Sequence, residues 1–182
     1  ENTAVGGGYG SGSTLQYNTT GNYNVALGSA ALRNNTVASN NTAVGYQAGY
    51  STAGGANLTF VGAKAGYSTT AGPNDAHGYE ALTANTTGIN NVSFGFRSLY
   101  SNTTASQNTA VGYQSLYTNT TGAENTAVGY NVLYANTTGN YNTAMGKVAL
   151  DANTTGSYNT GLGYRALSSN TTATHNVAVG YE

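Results

Sequence analysis

The chain has 182 residues but only eleven charged side chains, five basic and six acidic, giving a formal net charge of −1. Such a weak field attracts neither nucleic acid nor an anionic membrane surface, and no apolar run approaches the roughly 18 residues that span a bilayer. The composition of 26 glycines, 16 tyrosines, one proline and no cysteine excludes disulfides and thiolate metal sites and departs from that of an ordinary enzyme globule.

One glycine recurs along the whole chain, at Gly6, Gly28, Gly45, Gly62, Gly78, Gly95, Gly112, Gly129, Gly146, Gly163 and Gly180. The step is 17 residues, with one of 22 at the start and one of 16 before Gly78. A fixed period of this kind marks a solenoid or fibre, whose units are too small to bury a core alone and stack on their neighbours. Regularly placed Tyr, Val and Thr argue against disorder, which is poor in such residues.

The chain opens on Glu1 and a first copy of the motif, Asn2-Thr3-Ala4-Val5-Gly6, without methionine or signal segment, and is expected to be a processed product or part of something longer. The irregular first coil, 6 to 27, carries Gly6-Gly7-Gly8-Tyr9-Gly10-Ser11-Gly12. That run lacks the lysine of a phosphate-binding loop and any following helix, so it reads as a bulged insertion. Regular coils follow, typified by residues 108 to 124, NTAVGYQSLYTNTTGAE, numbered here as positions one to seventeen.

Position four holds Val5, Leu27, Val44, Val61, Phe94, Val111, Val128, Met145, Leu162 and Val179, and position nine holds Leu32, Leu82, Leu99, Leu116, Leu133, Leu150 and Leu167. Both are expected to face inward. Thr-Ala-Val alternates as a strand does, and because four and nine have opposite parity the chain must turn or bulge between them, at the glycine of position five. Asn-Thr-Thr-Gly supplies the other corner. Two short strands and two turns per coil are therefore predicted. No helical period is present. The fold class is all-β: a parallel β-solenoid, of the β-roll or β-helix type, with about ten coils stacked at about 4.8 Å into a rod roughly 48 Å long.

The coil from 74 to 90 is predicted to be short and irregular. Pro73 precedes it, and it gathers Asp75, His77 and Glu80. These groups suit metal or acid–base chemistry, but Glu80 lies beyond the glycine turn and no second histidine is near. A tolerated defect is the expectation, with no catalytic residue, metal or cofactor. Regular coils then run on to Asn176-Val177-Ala178-Val179-Gly180. Both termini consist of ordinary repeat sequence without an evident cap, so end-to-end association is expected.

Stacked identical side chains give further expectations. Asparagines at positions one and twelve can form amide ladders. Tyrosines at position six (Tyr46, Tyr79, Tyr113, Tyr130, Tyr164, Tyr181) and position ten (Tyr50, Tyr67, Tyr100, Tyr117, Tyr134) should run as stripes that pack between coils or chains, or that hold a ligand by stacking. Six sequons fall in register at position twelve: Asn85, Asn102, Asn119, Asn136, Asn153 and Asn170. They are candidate N-glycosylation sites, with the second threonine a candidate for O-linked sugar; turn chemistry alone can also select Asn-Thr-Thr.

The Asn-Thr-Ala-Val-Gly core resembles the Ser-Val-Ala-Ile-Gly type motif in the head repeats of trimeric autotransporter adhesins, and the NTAVGYxAL…NTTG arrays resemble bacterial and phage tail-fibre-like proteins. The resemblance implies a β-roll, trimerisation and a surface role. Its differences are the 17-residue coil and the Asn-Thr-Thr corner. The expected function is a non-catalytic extracellular structural fibre or filament subunit on a cell or virion surface. Expected partners are further copies, in an end-to-end filament or a trimer, and covalent glycans or cell-surface carbohydrate, without nucleic acid or membrane insertion. The alternative is a carbohydrate-binding module that uses the tyrosine stripes.

Overall fold

A computed structural model of the chain describes residues 1 to 7 and 12 to 182. Eleven short strands, β1 (Thr3–Val5), β2 (Val25–Leu27), β3 (Thr42–Val44), β4 (Leu58–Val61), β5 (Asn74–His77), β6 (Asn91–Phe94), β7 (Thr109–Val111), β8 (Thr126–Val128), β9 (Thr143–Met145), β10 (Thr160–Leu162) and β11 (Val177–Val179), pair in sequence order in one parallel sheet. No helix occurs among the described residues. Register follows the repeat, as in Thr109↔Thr126, Ala110↔Ala127 and Val111↔Val128. The fold is the parallel β-solenoid that the period predicts. Most of the glycine-rich insertion in the first coil lies at 8 to 11, outside the described residues.

Each coil has one strand where two were expected. Positions five to eleven form a run of turns in which left-handed φ recurs at positions five, seven and nine, as in Gly112 (129°), Gln114 (50°) and Leu116 (52°). A left-handed side-chain-bearing residue costs on the order of 1 kcal/mol. The run persists because its amides reach other coils. Gly112 and Gln114 donate back to the carbonyls of Phe94 (2.7 Å) and Phe96 (2.9 Å), whereas Leu116 and Thr118 donate forward to Val132 (3.0 Å) and Tyr134 (3.1 Å). Every coil is thus bonded to both neighbours without a second strand.

Position four faces outward, contrary to the sequence expectation. Leu27 is 45 % exposed, Phe94 37 % and Met145 45 %, while Ala110, Ala127 and Ala144 at position three are fully buried. Strand alternation sends positions one and three inward and two and four outward. The turn after the glycine then redirects the chain so that Leu116 and Leu133 at position nine are fully buried, as expected. In the regular coils one leucine fills the lumen and leaves space only for a small residue, Ala, Ser or Gly, opposite. Its burial contributes about 1.5–3 kcal/mol. The glycine at position five is fixed by crowding as well as by φ: a Cβ on Gly129 would sit 2.6 Å from the carbonyl oxygen of Gly146.

The two asparagine ladders are present. At position twelve, Asn119 Nδ2 donates to Asn102 Oδ1 (2.9 Å) and to the carbonyl of Gly122 (2.8 Å), and Asn136 repeats the pattern on Asn119 (2.8 Å) and Gly139 (3.0 Å). At position one, Asn125 Oδ1 accepts the backbone amide of Asn142 (2.9 Å), and Asn125 Nδ2 also reaches the Gly139 carbonyl (2.9 Å). One corner carbonyl thereby accepts from both ladders, which satisfies buried amides that would otherwise be costly.

Between residues 41 and 73 the pattern changes in a compensated way. Gly49 and Gly66 replace the position-nine leucine, and the fully buried Phe60 replaces the position-three alanine. A Cβ on Gly49 would lie 3.0 Å from Phe60 Cδ2, and one on Gly66 would run into the same ring, so one phenyl group occupies space left by two leucines. Thr52 and Thr69 interrupt the position-twelve ladder, and Leu58 stands where position one is usually asparagine. The pairing Leu58↔Asn74 places the missing residue at the corner before Asn74. The short coil is therefore 58 to 73, not 74 to 90.

Candidate functional site

The most differentiated surface is the aromatic face built by positions six, seven and ten. At position six, Tyr79 stacks on Phe96 (5.5 Å between ring centroids), Phe96 on Tyr113 (5.2 Å), Tyr113 on Tyr130 (5.2 Å) and Tyr164 on Tyr181 (4.9 Å). At position ten the pairs are Tyr50 with Tyr67 (5.0 Å), Tyr100 with Tyr117 (5.2 Å) and Tyr117 with Tyr134 (5.2 Å). Ring spacing matches the coil repeat because the sheet fixes both. Where rings are consecutive they cover each other's faces, so packing between coils is the realised role there, and the free area is edges.

Cations bridge the aromatic columns. The Arg97 guanidinium lies 5.9 Å from the Tyr79 ring, 5.2 Å from Phe96 and 5.4 Å from Tyr100, so position seven runs between the two columns. Its Nε donates to Glu80 Oε2 at 2.7 Å, and that bond raises the Arg97 pKa above its ordinary value. Lys147 replaces an aromatic at position six and points its ammonium at both flanking rings, 5.8 Å from Tyr130 and 5.9 Å from Tyr164. Arg33 does the same at position ten, between Tyr17 (5.4 Å) and Tyr50 (5.6 Å). Sequence reading missed these insertions; the signal was a cation in an aromatic column.

The Asp75–His77 locus is a pair, not a triad. His77 Nε2 lies 2.8 Å from Asp75 Oδ1 on the outer face of β5, and the imidazole stacks on Phe94 at 4.2 Å. Glu80 is held by Arg97 instead. Beside the pair, at the corner of the short coil, a notch of about 390 Å³ is lined by Asn57, Thr59, Pro73, Asp75, Asn90 and Val92. It holds one carboxylate, and no group of three or more His, Asp or Glu able to hold a metal occurs among the described residues.

The candidate glycosylation sites divide by burial. Asn85, Asn102, Asn119, Asn136 and Asn153 are fully buried. The Nδ2 atoms of Asn102, Asn119, Asn136 and Asn153 each donate to the previous rung, and Asn85 Nδ2 donates to the Gly88 carbonyl at 3.0 Å. Asn170, half-buried, donates to Asn153 Oδ1 at 2.8 Å. A sugar on any of these nitrogens would displace a ladder bond. Position thirteen is committed too, since Thr120 Oγ1 donates to the Thr137 carbonyl at 3.1 Å. Position fourteen differs: Thr87, Thr104, Thr121, Thr138, Thr155 and Thr172 form an exposed column in register.

The outward sheet face was also missed. Positions two and four place Thr109, Val111, Thr126, Val128, Thr143 and Met145 side by side on one surface, partly open to solvent. Compared with known protein families, curated proteins and solved structures, the chain matches none.

Proposed function

We propose that the chain is a non-catalytic structural unit of an extracellular fibre, adhesin-like or tail-fibre-like, that associates with further copies of itself. The observation that carries this reading is the self-complementarity of the coil. Each level offers its successor the same strand register, and most offer the same amide rungs and rings, so chemistry that holds coils together inside one chain can extend an assembly. The outward stripe at positions two and four adds a lateral surface. It is almost free of charge, Asp75 being the exception, so parallel copies meet little repulsion there, and cyclic symmetry is the usual closed arrangement. With few charges, a sugar coat would supply solubility. The exposed threonines of position fourteen are its best-placed attachment points, because the asparagine amides are engaged.

Sedimentation of the intact 182-residue chain over a wide concentration range tests the assembly reading. Concentration-dependent association into rods supports it, and a monodisperse monomer throughout refutes it. Intact mass of native material tests the coat, which must add sugar units to the 18.4 kDa polypeptide.

A further inference from the structure

The aromatic columns contain gaps, two of them filled by the cations Lys147 and Arg33, and the flanking rings define what an unfilled one accepts. At position six, Ser29, Ala63 and Lys147 stand where other levels carry a ring. Lys147 fills its own gap by placing Nζ between Tyr130 and Tyr164. Ala63 cannot. It lies between Tyr46 on one side and Tyr79 on the other, both about half exposed. Consecutive rings in this column are 4.9 to 5.5 Å apart, so two steps leave roughly 10 to 11 Å between the ring centres of Tyr46 and Tyr79, room for one more ring in stacking contact with both. Phe96 occupies that situation between Tyr79 and Tyr113.

A second gap, at Thr83 in the position-ten column, falls between Tyr67 and Tyr100, but Arg97 already covers Tyr100. Arg97 also lies 5.9 Å from Tyr79, but it comes from the level of Phe96, which stacks on Tyr79 from the side away from Ala63, and among the described residues no cation lies over Tyr46. The cation nearest in sequence is Lys64, at position seven, the position that runs between the columns, and its side chain has no partner among the described residues. The nearby carboxylate, Glu80, is neutralised by Arg97.

We infer that the Ala63 gap is a binding slot for a small aromatic carboxylate. Its ring would take the place of the missing aromatic side chain, stacked between Tyr46 and Tyr79, and its carboxylate would pair with Lys64. The columns themselves supply both precedents, a ring between two rings and a position-seven cation paired with a carboxylate one level away. A free ammonium ligand fits less well, because Lys64 repels it. An aliphatic acid lacks the flat face. This inference goes beyond the fibre reading, since a monomer or a filament would bind alike.

The test is titration of the intact chain with 2-naphthoate, followed by saturation-transfer NMR, with 2-naphthylmethylammonium and cyclohexanecarboxylate as comparison probes. Naphthoate is expected to bind at millimolar concentration or tighter, and each comparison probe several-fold more weakly. Ala63→Tyr, which completes a column that accepts Tyr at the same position elsewhere, should weaken naphthoate roughly tenfold or more, and Lys64→Gln severalfold. Absence of saturation transfer, unchanged affinity in Ala63→Tyr, or equal binding of cyclohexanecarboxylate would overturn the slot. Should Ala63→Tyr fail to fold, Lys64→Gln and the ammonium probe decide: naphthoate bound unchanged by Lys64→Gln, or the ammonium bound equally well, overturns the assignment.

Discussion

Phe60 is predicted to be worth two leucines, and the claim can be closed as a cycle. Truncating Phe60 to alanine in the fully buried lumen should cost about 3–5 kcal/mol, near the upper end because Gly49 and Gly66 have no side chains with which to fill the void. Introducing leucine at Gly49 and Gly66 into the native chain should also destabilise, since both new side chains meet the ring. Combining all three changes restores the alanine and leucine of an ordinary coil. Leucine tolerates these positions: Gly49 and Gly66 have φ of 58° and 60°, and Leu82 and Leu99 hold 55° and 48° at the equivalent place. The triple variant should therefore recover most of the loss, a coupling far outside the additivity of independent sites. A stacked array need not unfold in one step, so the assay is native-state hydrogen exchange, comparing amides of residues 41 to 73 with those of 108 to 142. If the triple variant is no better protected than Phe60→Ala, the phenyl group does not replace the leucines and the account of this segment is wrong.

Other substitutions separate inside from outside. Leu116→Asp buries an unpaired charge and should cost several kcal/mol, whereas Val111→Asp, on the outer face, should change the melting temperature of an isolated rod little. Asn119→Ala removes rungs to Asn102, Gly122 and Asn136 and should cost about 1–3 kcal/mol for each buried group left unpaired, while Thr121→Ala should stay within about 0.5 kcal/mol in denaturant unfolding. Burial raises the Asp151 carboxyl above its ordinary 3.8, so the folded chain holds that proton more tightly than the unfolded chain does. Stability then falls as pH rises from 3.8 through the folded value and levels off above it. Asp151→Asn should raise the melting temperature at neutral pH, with the gain vanishing below pH 3.8.

How much of this was legible in the sequence depends on what each position had to satisfy. The period, the absence of helix and both amide ladders were readable, because stacking repeats one requirement at every level and identical residues answer it. The second strand was misread because nothing in local propensity announces a run of alternating left-handed residues such as Gln114 and Leu116; inter-coil hydrogen bonds stabilise that run, and they exist only once coils are stacked. The orientation of position four was misread for a different reason. Large apolar residues suggest the inside, yet burial of apolar residues is a one-way rule and exposed valines are ordinary.

A better discriminator was present all along, in how far size varies at each position. Position four accepts Val, Leu, Phe, Met and even His77, a spread of volume that a closed lumen of fixed width cannot accommodate. Position three accepts Ala, Ser and Gly at every level from Ala4 to Ala178 except at Phe60. That exception coincides with Gly49 and Gly66 at position nine, in the preceding coil and its own. A gain in volume at one position matched by a loss at another is what two side chains sharing one cavity must show. Positions three and nine therefore had to face each other inside, and position four, on the opposite side of the strand from three, had to face out.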